Sequence, residues 1–306
     1  MHSRRGFLRQ VGFGTLVATI GPALAVDMGL VSNSFAKDLD GELTFGDLEP
    51  HVRALQETPV DRLQAMLVKD LRTGTPLKSW VAAAALANAR TFGGEDYIGF
   101  HTFMALAPAL KLTAQMPAGE EALPVLKVLY RNSNRIQEFG GRDAEVLHQV
   151  ASDPMANVAD PKAVYTAIRG RDAKHAEQVL ASFVAADRRS ALDALLPAVQ
   201  DTPEVHRTVL PYRAWEMQEI VGPEHALRLL RQSLRYCVRI EPARRPEWTA
   251  PGEMIVKLFD EYKLAGKKPG DKPVTDEVVT RLSHTFATAS AEDAGRAAAE
   301  ALAAGY

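Results

Sequence analysis

The sequence predicts an all-α protein of stacked antiparallel helical hairpins, either an irregular α-solenoid or a multi-helix bundle. Three observations carry that expectation. Apolar residues recur at helical spacing through almost the whole chain after residue 40. Alternating runs of Val, Ile, Thr and Tyr are missing, as are Asn-Gly hairpin turns. Most helical stretches are separated by only a few residues, which turns each helix back along its neighbour.

Helices are expected near 47–56, 59–73, 76–91, 95–113, 119–138, 142–150, 160–168, 171–185, 188–200, 204–220, 223–240, 251–264, 274–286 and 290–304. Their boundaries carry chemical signals. Pro59 and Pro76 fall in first turns, where a missing N–H costs no helical hydrogen bond. Thr73-Gly74-Thr75 and Gly222-Pro223-Glu224 stop one helix and start the next. Ser290 with Asp293 has the spacing of a capping box. Pro108, Pro124, Pro197 and Pro211 lie within apolar helical text. Each removes one donor and either kinks its helix or marks a first turn, which argues against a straight coiled coil. Residues 239–251, with three prolines, and 263–273, rich in Lys, Gly and Pro, read as linkers.

Three segments concentrate polar groups in apolar surroundings. In 91–112, Gly93-Gly94 ends one helix, and Glu95 and Asp96 open the next, where negative charge meets the positive end of the helix dipole. His101 follows on a helix flanked by Phe100, Phe103, Met104, Leu106 and Leu110. A helix apolar nearly all round is buried, so His101 is expected to be buried too. It is then either a metal ligand or general base, or a core histidine bonded to a carbonyl or to Tyr97 one turn back. In 123–139, Ser133 falls inside the apolar arc and Asn132 at its edge, while Arg131 and Arg135 sit one turn apart on another face. These residues form either an internal polar network or one wall of a pocket.

In 204–239, His206, Leu210, Arg213 and Met217 share a helix face, Arg213 and Glu216 are spaced to pair, and Tyr212 and Trp215 add polar-tipped aromatics. On the next helix His225, Gln232 and Tyr236 align opposite Leu227, Leu230, Leu234, Cys237 and Val238. That polar stripe reads as a solvated face, and Cys237 as a structural thiol. From these segments come the candidate catalytic residues His101, His206 and Glu216. The candidate cofactor-binding residues are Tyr97, Tyr212 and Arg213, and a candidate metal set is His101, Glu95 and Asp96.

Several chemistries have no signature. The chain lacks His-Glu-x-x-His, paired cysteines, a Walker lysine loop and a Gly-x-Ser-x-Gly elbow. His101, His148, His175, His206 and His225 are scattered one to a helix, a pattern from which helical bundles can still assemble sites. One cysteine allows no internal disulfide. No block of Lys and Arg argues for nucleic acid, and after the N-terminal region no run reaches the ~18–20 apolar residues of a membrane span.

At the N-terminus, His2, Arg4, Arg5 and Arg9 make a positive segment with no acid before Asp27. Residues 11–24 are weakly apolar and lead into Ala23-Leu24-Ala25, the small-x-small pattern of a signal peptidase site; a second possible cut follows Ala36. The run Ser3-Arg4-Arg5-Gly6-Phe7-Leu8-Arg9 resembles a twin-arginine export signal. The resemblance implies that Arg4, Arg5, Phe7 and Leu8 are read by the Tat translocase and that cleavage follows Ala25. It also implies a bacterial chain exported already folded, to become periplasmic or secreted. The expected organisation is a signal at 1–25, a leader at 26–39 and one helical domain at 40–306. The whole chain carries a formal charge of -2, and loss of the three signal arginines makes the remainder more acidic.

The remainder resembles exported bacterial all-helical proteins of unassigned function. Around Gly99-Phe100-His101 and on to Leu106 it resembles the questin-oxidase-like group, helical proteins with dispersed histidines, although a paired-histidine run is missing there. Two functions are therefore expected as alternatives. One is an exported oxidoreductase with a metal or organic cofactor of unknown identity held among the helices. The other is a non-catalytic helical scaffold that recognises a protein or cell-envelope component.

Overall fold

A computed structural model describes residues 43–306 apart from Pro269; the signal and leader assignments, including Arg4, Arg5, Phe7, Leu8 and Ala25, lie outside the described residues. Thirteen α-helices and no strand occur among the described residues. They are α1 (Glu49–Glu57), α2 (Val60–Arg72), α3 (Leu77–Phe92), α4 (Tyr97–Leu112), α5 (Leu123–Phe139), α6 (Ala163–Arg169) and α7 (Ala173–Ala186). The rest are α8 (Arg188–Asp201), α9 (Val205–Val221), α10 (Ala226–Ile240), α11 (Thr249–Glu261), α12 (Asp276–Thr288) and α13 (Ala291–Ala303). No described helix is long and apolar enough to cross a membrane.

The earlier helices form a bundle around α3, while α11 and α13 pack on a separate small core of Leu258, Leu264 and Ala299 and α12 packs on α13. Every residue from Trp80 to Phe92 is buried, because this Ala-rich helix has no polar face wide enough to meet water and its small side chains admit close neighbours. α1, α4, α5, α9 and α10 all pack on it. A solenoid limits each repeat to its sequence neighbours. The docking of α9 and α10 onto α3, more than a hundred residues earlier, closes the chain into a bundle instead.

The turn from α3 to α4 sets up the candidate site. Gly93 ends α3 in the left-handed conformation, φ 53°. Gly94, φ 79°, lies so close to α10 that a Cβ there would stand 2.1 Å from the Gln232 carbonyl oxygen. α4 therefore begins directly beside α10. Asp96 caps α4 by accepting from the Gly99 N–H at 2.6 Å, and Arg135 of α5 binds the same carboxylate. Burial acts to raise the Asp96 pKa, but the bonds from Arg135 and the Gly99 N–H outweigh it and hold the carboxyl below its usual range.

Pro124 marks the first turn of α5, whereas Pro108, Pro197 and Pro211 lie inside α4, α8 and α9. The expected linker at 239–251 is shorter than predicted: residues 239–240 finish α10 and 249–251, Pro251 among them, open α11, which leaves only two 3-10 turns at Glu241–Ala243 and Pro246–Trp248 between them, while the described residues of 263–273 are turns and irregular chain between α11 and α12. Two further expectations are corrected. Residues 142–150 do not form a helix: after a 3-10 turn at Gly141–Ala144 the chain extends, and the N–H groups of Val146 and Leu147 bond to the Arg90 carbonyl at the end of α3. Those tertiary bonds replace the ones a local helix would make. The polar stripe of α10 is not solvated: Gln232 is fully buried and Tyr236 nearly so, because α10 is enclosed by α3, α7 and α9. Cys237 is buried on the same helix, where desolvation pushes its thiol pKa up and disfavours the thiolate.

Candidate functional site

His101 and His206, 105 residues apart in sequence, meet where α4 and α9 lie side by side. Their Nε2 atoms are 3.4 Å apart and their ring centroids 5.1 Å. The nitrogens lie closer together than the ring centres, so each ring turns its Nε2 edge toward the other. His101 is exposed, contrary to the expectation of burial; although α4 is apolar nearly all round, position 101 faces out beside α9. The His206 side chain is 13% exposed.

The partners of the other ring nitrogens set the protonation pattern. His101 Nδ1 lies 2.6 Å from the Tyr97 carbonyl oxygen. A carbonyl only accepts, so this nitrogen carries the proton and Nε2 presents a lone pair. His206 Nδ1 lies 2.7 Å from Glu204 Oε1. Glu204 is the N-cap of α9, accepting from the backbone N–H groups of His206 and Arg207 at 3.0 and 3.1 Å, and the Tyr236 hydroxyl of α10 donates to it at 3.1 Å.

Burial acts to raise the Glu204 pKa, yet these backbone donors, the His206 ring and Tyr236 together hold it below the ordinary value. Glu204 is thus an ionised acceptor, and His206 donates to it from Nδ1. Burial first, and the Glu204 charge second, push the Tyr236 pKa far up, so its hydroxyl stays a donor.

In their neutral forms both histidines therefore aim an Nε2 lone pair at one another. Buried Phe100 is the floor beneath them, its ring centroid 5.1 Å from His101, 4.8 Å from His206 and 5.4 Å from Tyr236. Tyr97 covers the flank of His101 at 4.4 Å. Two lone pairs at this distance repel unless a cation lies between them, either a shared proton or a metal ion. Two bonds of about 2.0–2.1 Å meeting tetrahedrally hold their nitrogens about 3.4 Å apart, which matches the observed separation. The chemistry of the donor set fits as well: neutral imidazoles suit first-row transition ions, and a carboxylate behind a ligating histidine is the usual orienting partner.

The remaining sequence-derived candidates lie elsewhere. Glu216, ten residues along α9, is bound by Lys111 and Arg213, and so lies about 15 Å up the helix from His206. Exposed Tyr212 stacks under the Arg213 guanidinium in that same cluster. Glu95 pairs with Arg235 and Asp96 with Arg135, so neither converges on His101. Among the described residues no group of three or more His, Cys, Asp or Glu is arranged for a metal. Sequence reasoning left out Glu204 and placed Tyr236 on a solvated face. The Glu-x-His spacing at the start of α9 is the signal that could have found Glu204: one carboxylate there reaches both the helix N-terminus and the histidine two residues on.

An open groove of about 410 Å³ runs from His101 between α4 and α5. Ile98, Ala105 and Val128 give it apolar walls, and Lys127 and Arg131 stand on its far side.

In comparisons with known proteins, no family model, no curated protein and no solved structure matches this chain.

Proposed function

We propose that this chain is an exported metalloenzyme in which His101 and His206 hold a first-row transition ion with its remaining positions open to a substrate, an oxidoreductase when that ion is copper or iron. The observation that carries the reading is the 3.4 Å approach of two Nε2 atoms whose Nδ1 partners leave both lone pairs facing inward. A bound ion would supply Lewis acidity and, for copper or iron, electron transfer. The chain's own residues do the rest. Glu204 fixes the His206 tautomer and ring orientation, the Tyr97 carbonyl does the same for His101, and Tyr236 keeps Glu204 in place. Phe100 closes the floor against water. Export rests on the twin-arginine text at residues 3–9 and the small residues before position 26.

The test is metal analysis of protein purified after export, followed by titration of apo-protein with Zn²⁺ and Cu²⁺. One ion per chain is expected, with binding lost in both His101→Ala and His206→Ala while far-UV circular dichroism stays unchanged. Binding should weaken on acidification, because protons compete for the same nitrogens. A wild-type protein that takes up neither ion, or a His206→Ala variant that binds as well as wild type, overturns the reading and leaves the helical scaffold.

A further inference from the structure

The groove beside His101 has an unusual charge balance. Lys127 and Arg131 are four residues apart on α5 and therefore project one turn apart on the same face. Like charges at that spacing destabilise an isolated helix, so local structure gives no reason for the pair. Neither residue makes an ion pair among the described residues, and both side chains are exposed. Neighbouring cations behave otherwise: Lys111 and Arg213 hold Glu216, Arg135 holds Asp96, and Arg235 holds Glu177. Glu138 feels the Arg131 charge, but its carboxylate is already bound by Arg135 and Asn134.

The groove itself has no Asp or Glu in its lining. Its walls are apolar, and Tyr97, 63% exposed, offers an aromatic face at the end where His101 stands. A ligand filling this space meets two unspent positive charges at one end, apolar contacts along its body and the His101 ring at the other end.

We propose that the groove between α4 and α5 binds a small organic anion, one carboxylate or phosphate group on an apolar body, with Lys127 and Arg131 taking the anionic group and the body lying across Ile98, Ala105 and Val128 toward His101. This inference rests on the histidine-pair reading only in making the ligand a substrate; the charges and the cavity stand without it. Arg131 can bind the anionic group through two parallel N–H donors, and Lys127 adds a point charge. A neutral ligand of the same shape would leave both cations without a counter-charge.

Calorimetric titration of the folded protein with benzoate and with phenyl phosphate, against benzyl alcohol as the neutral control, tests this in zinc-loaded and zinc-free forms. Binding of at least one anion is expected, with benzyl alcohol weaker by about tenfold or more, and a Lys127→Gln/Arg131→Gln double variant weaker for the anion by a similar factor. Zinc affinity of that variant should equal wild type, since neither residue touches His101 or His206. Anion binding that ignores the double substitution, or no anion binding at all, overturns the inference even if zinc binds. Protein that takes no zinc yet binds the anion through Lys127 and Arg131 upholds the groove and removes the metal reading.

Discussion

Residues 101 and 102 are consecutive on α4, both polar, and serve opposite purposes. Thr102 faces inward to a buried network. Its hydroxyl lies 2.7 Å from the Gly99 carbonyl and 2.8 Å from Asn132 Oδ1, and Asn88 Nδ2 reaches Gly99 O and Asn132 Oδ1 at 2.7 Å each. Asn132 closes the network by donating to the Ala84 carbonyl, and all three side chains are buried. His101 faces outward with its Nδ1 committed to Tyr97 and its Nε2 uncommitted except toward His206. The difference shows how one helix can hold both architecture and chemistry. Polar groups whose capacity is used internally stabilise the fold, and a group whose acceptor is left facing another acceptor is available to a ligand.

The largest expected effect breaks the inner network. Asn132→Ala leaves the buried donors of Asn88 and Thr102 short of their acceptor and should cost about 3 kcal/mol of stability by urea denaturation. Zinc binding by the surviving folded fraction should be unchanged. A loss under 1 kcal/mol would mean that the network is not what holds α3, α4 and α5 together.

Glu204→Gln comes next, acting mainly on the outer cluster. It retains an acceptor for the cap but removes the charge behind His206, so zinc affinity should fall about 10–100-fold while stability changes by only about 1 kcal/mol. The pH dependence has a definite sign. The folded pKa of Glu204 lies below its unfolded value, so its stabilisation is complete above the unfolded carboxylate range, about pH 4.3, and is lost as pH falls through the folded value. The gap in melting temperature between wild type and Glu204→Gln should therefore narrow as pH drops below about 4.3, and a gap that widens on acidification would contradict the assigned role.

The smallest effect on stability sharpens the contrast most. His101→Ala removes an exposed ring and should change stability by no more than about 0.5 kcal/mol, yet abolish metal uptake. Thr102→Val, one residue on, should do the reverse, costing about 1–2 kcal/mol and leaving metal uptake intact. Paired urea denaturation and zinc titration of the two variants read both quantities.

Much of the fold was legible in local chemistry. Gly93-Gly94, Pro59, Pro76 and Ser290 marked helix ends correctly because capping and turn preferences act within a few residues. The burial of Asn132 and Ser133 followed from their place in an apolar arc. Residues 142–150 were misread because their donors are satisfied by the end of α3, a partner that periodicity does not register. The Gln232 and Tyr236 stripe was misread for a related reason: amphipathic text says which face is more apolar, and says nothing of whether a second layer covers the polar one. The candidate site was legible only as single residues. His101 and His206 each stood out, whereas Glu204 and Tyr236 acquired meaning from neighbours on other helices.

By itself the sequence determined an all-helical chain, with no strand text to compete and with helix ends written in proline and glycine. Tertiary structure alone decided that the earlier helices close around α3 as a bundle, and that two histidines 105 residues apart bring their Nε2 atoms to 3.4 Å. The physical reason is range. Helix formation depends on hydrogen bonds four residues apart, while the meeting of α4 with α9 depends on burying Phe100 and Leu210 in a core assembled from both halves of the chain.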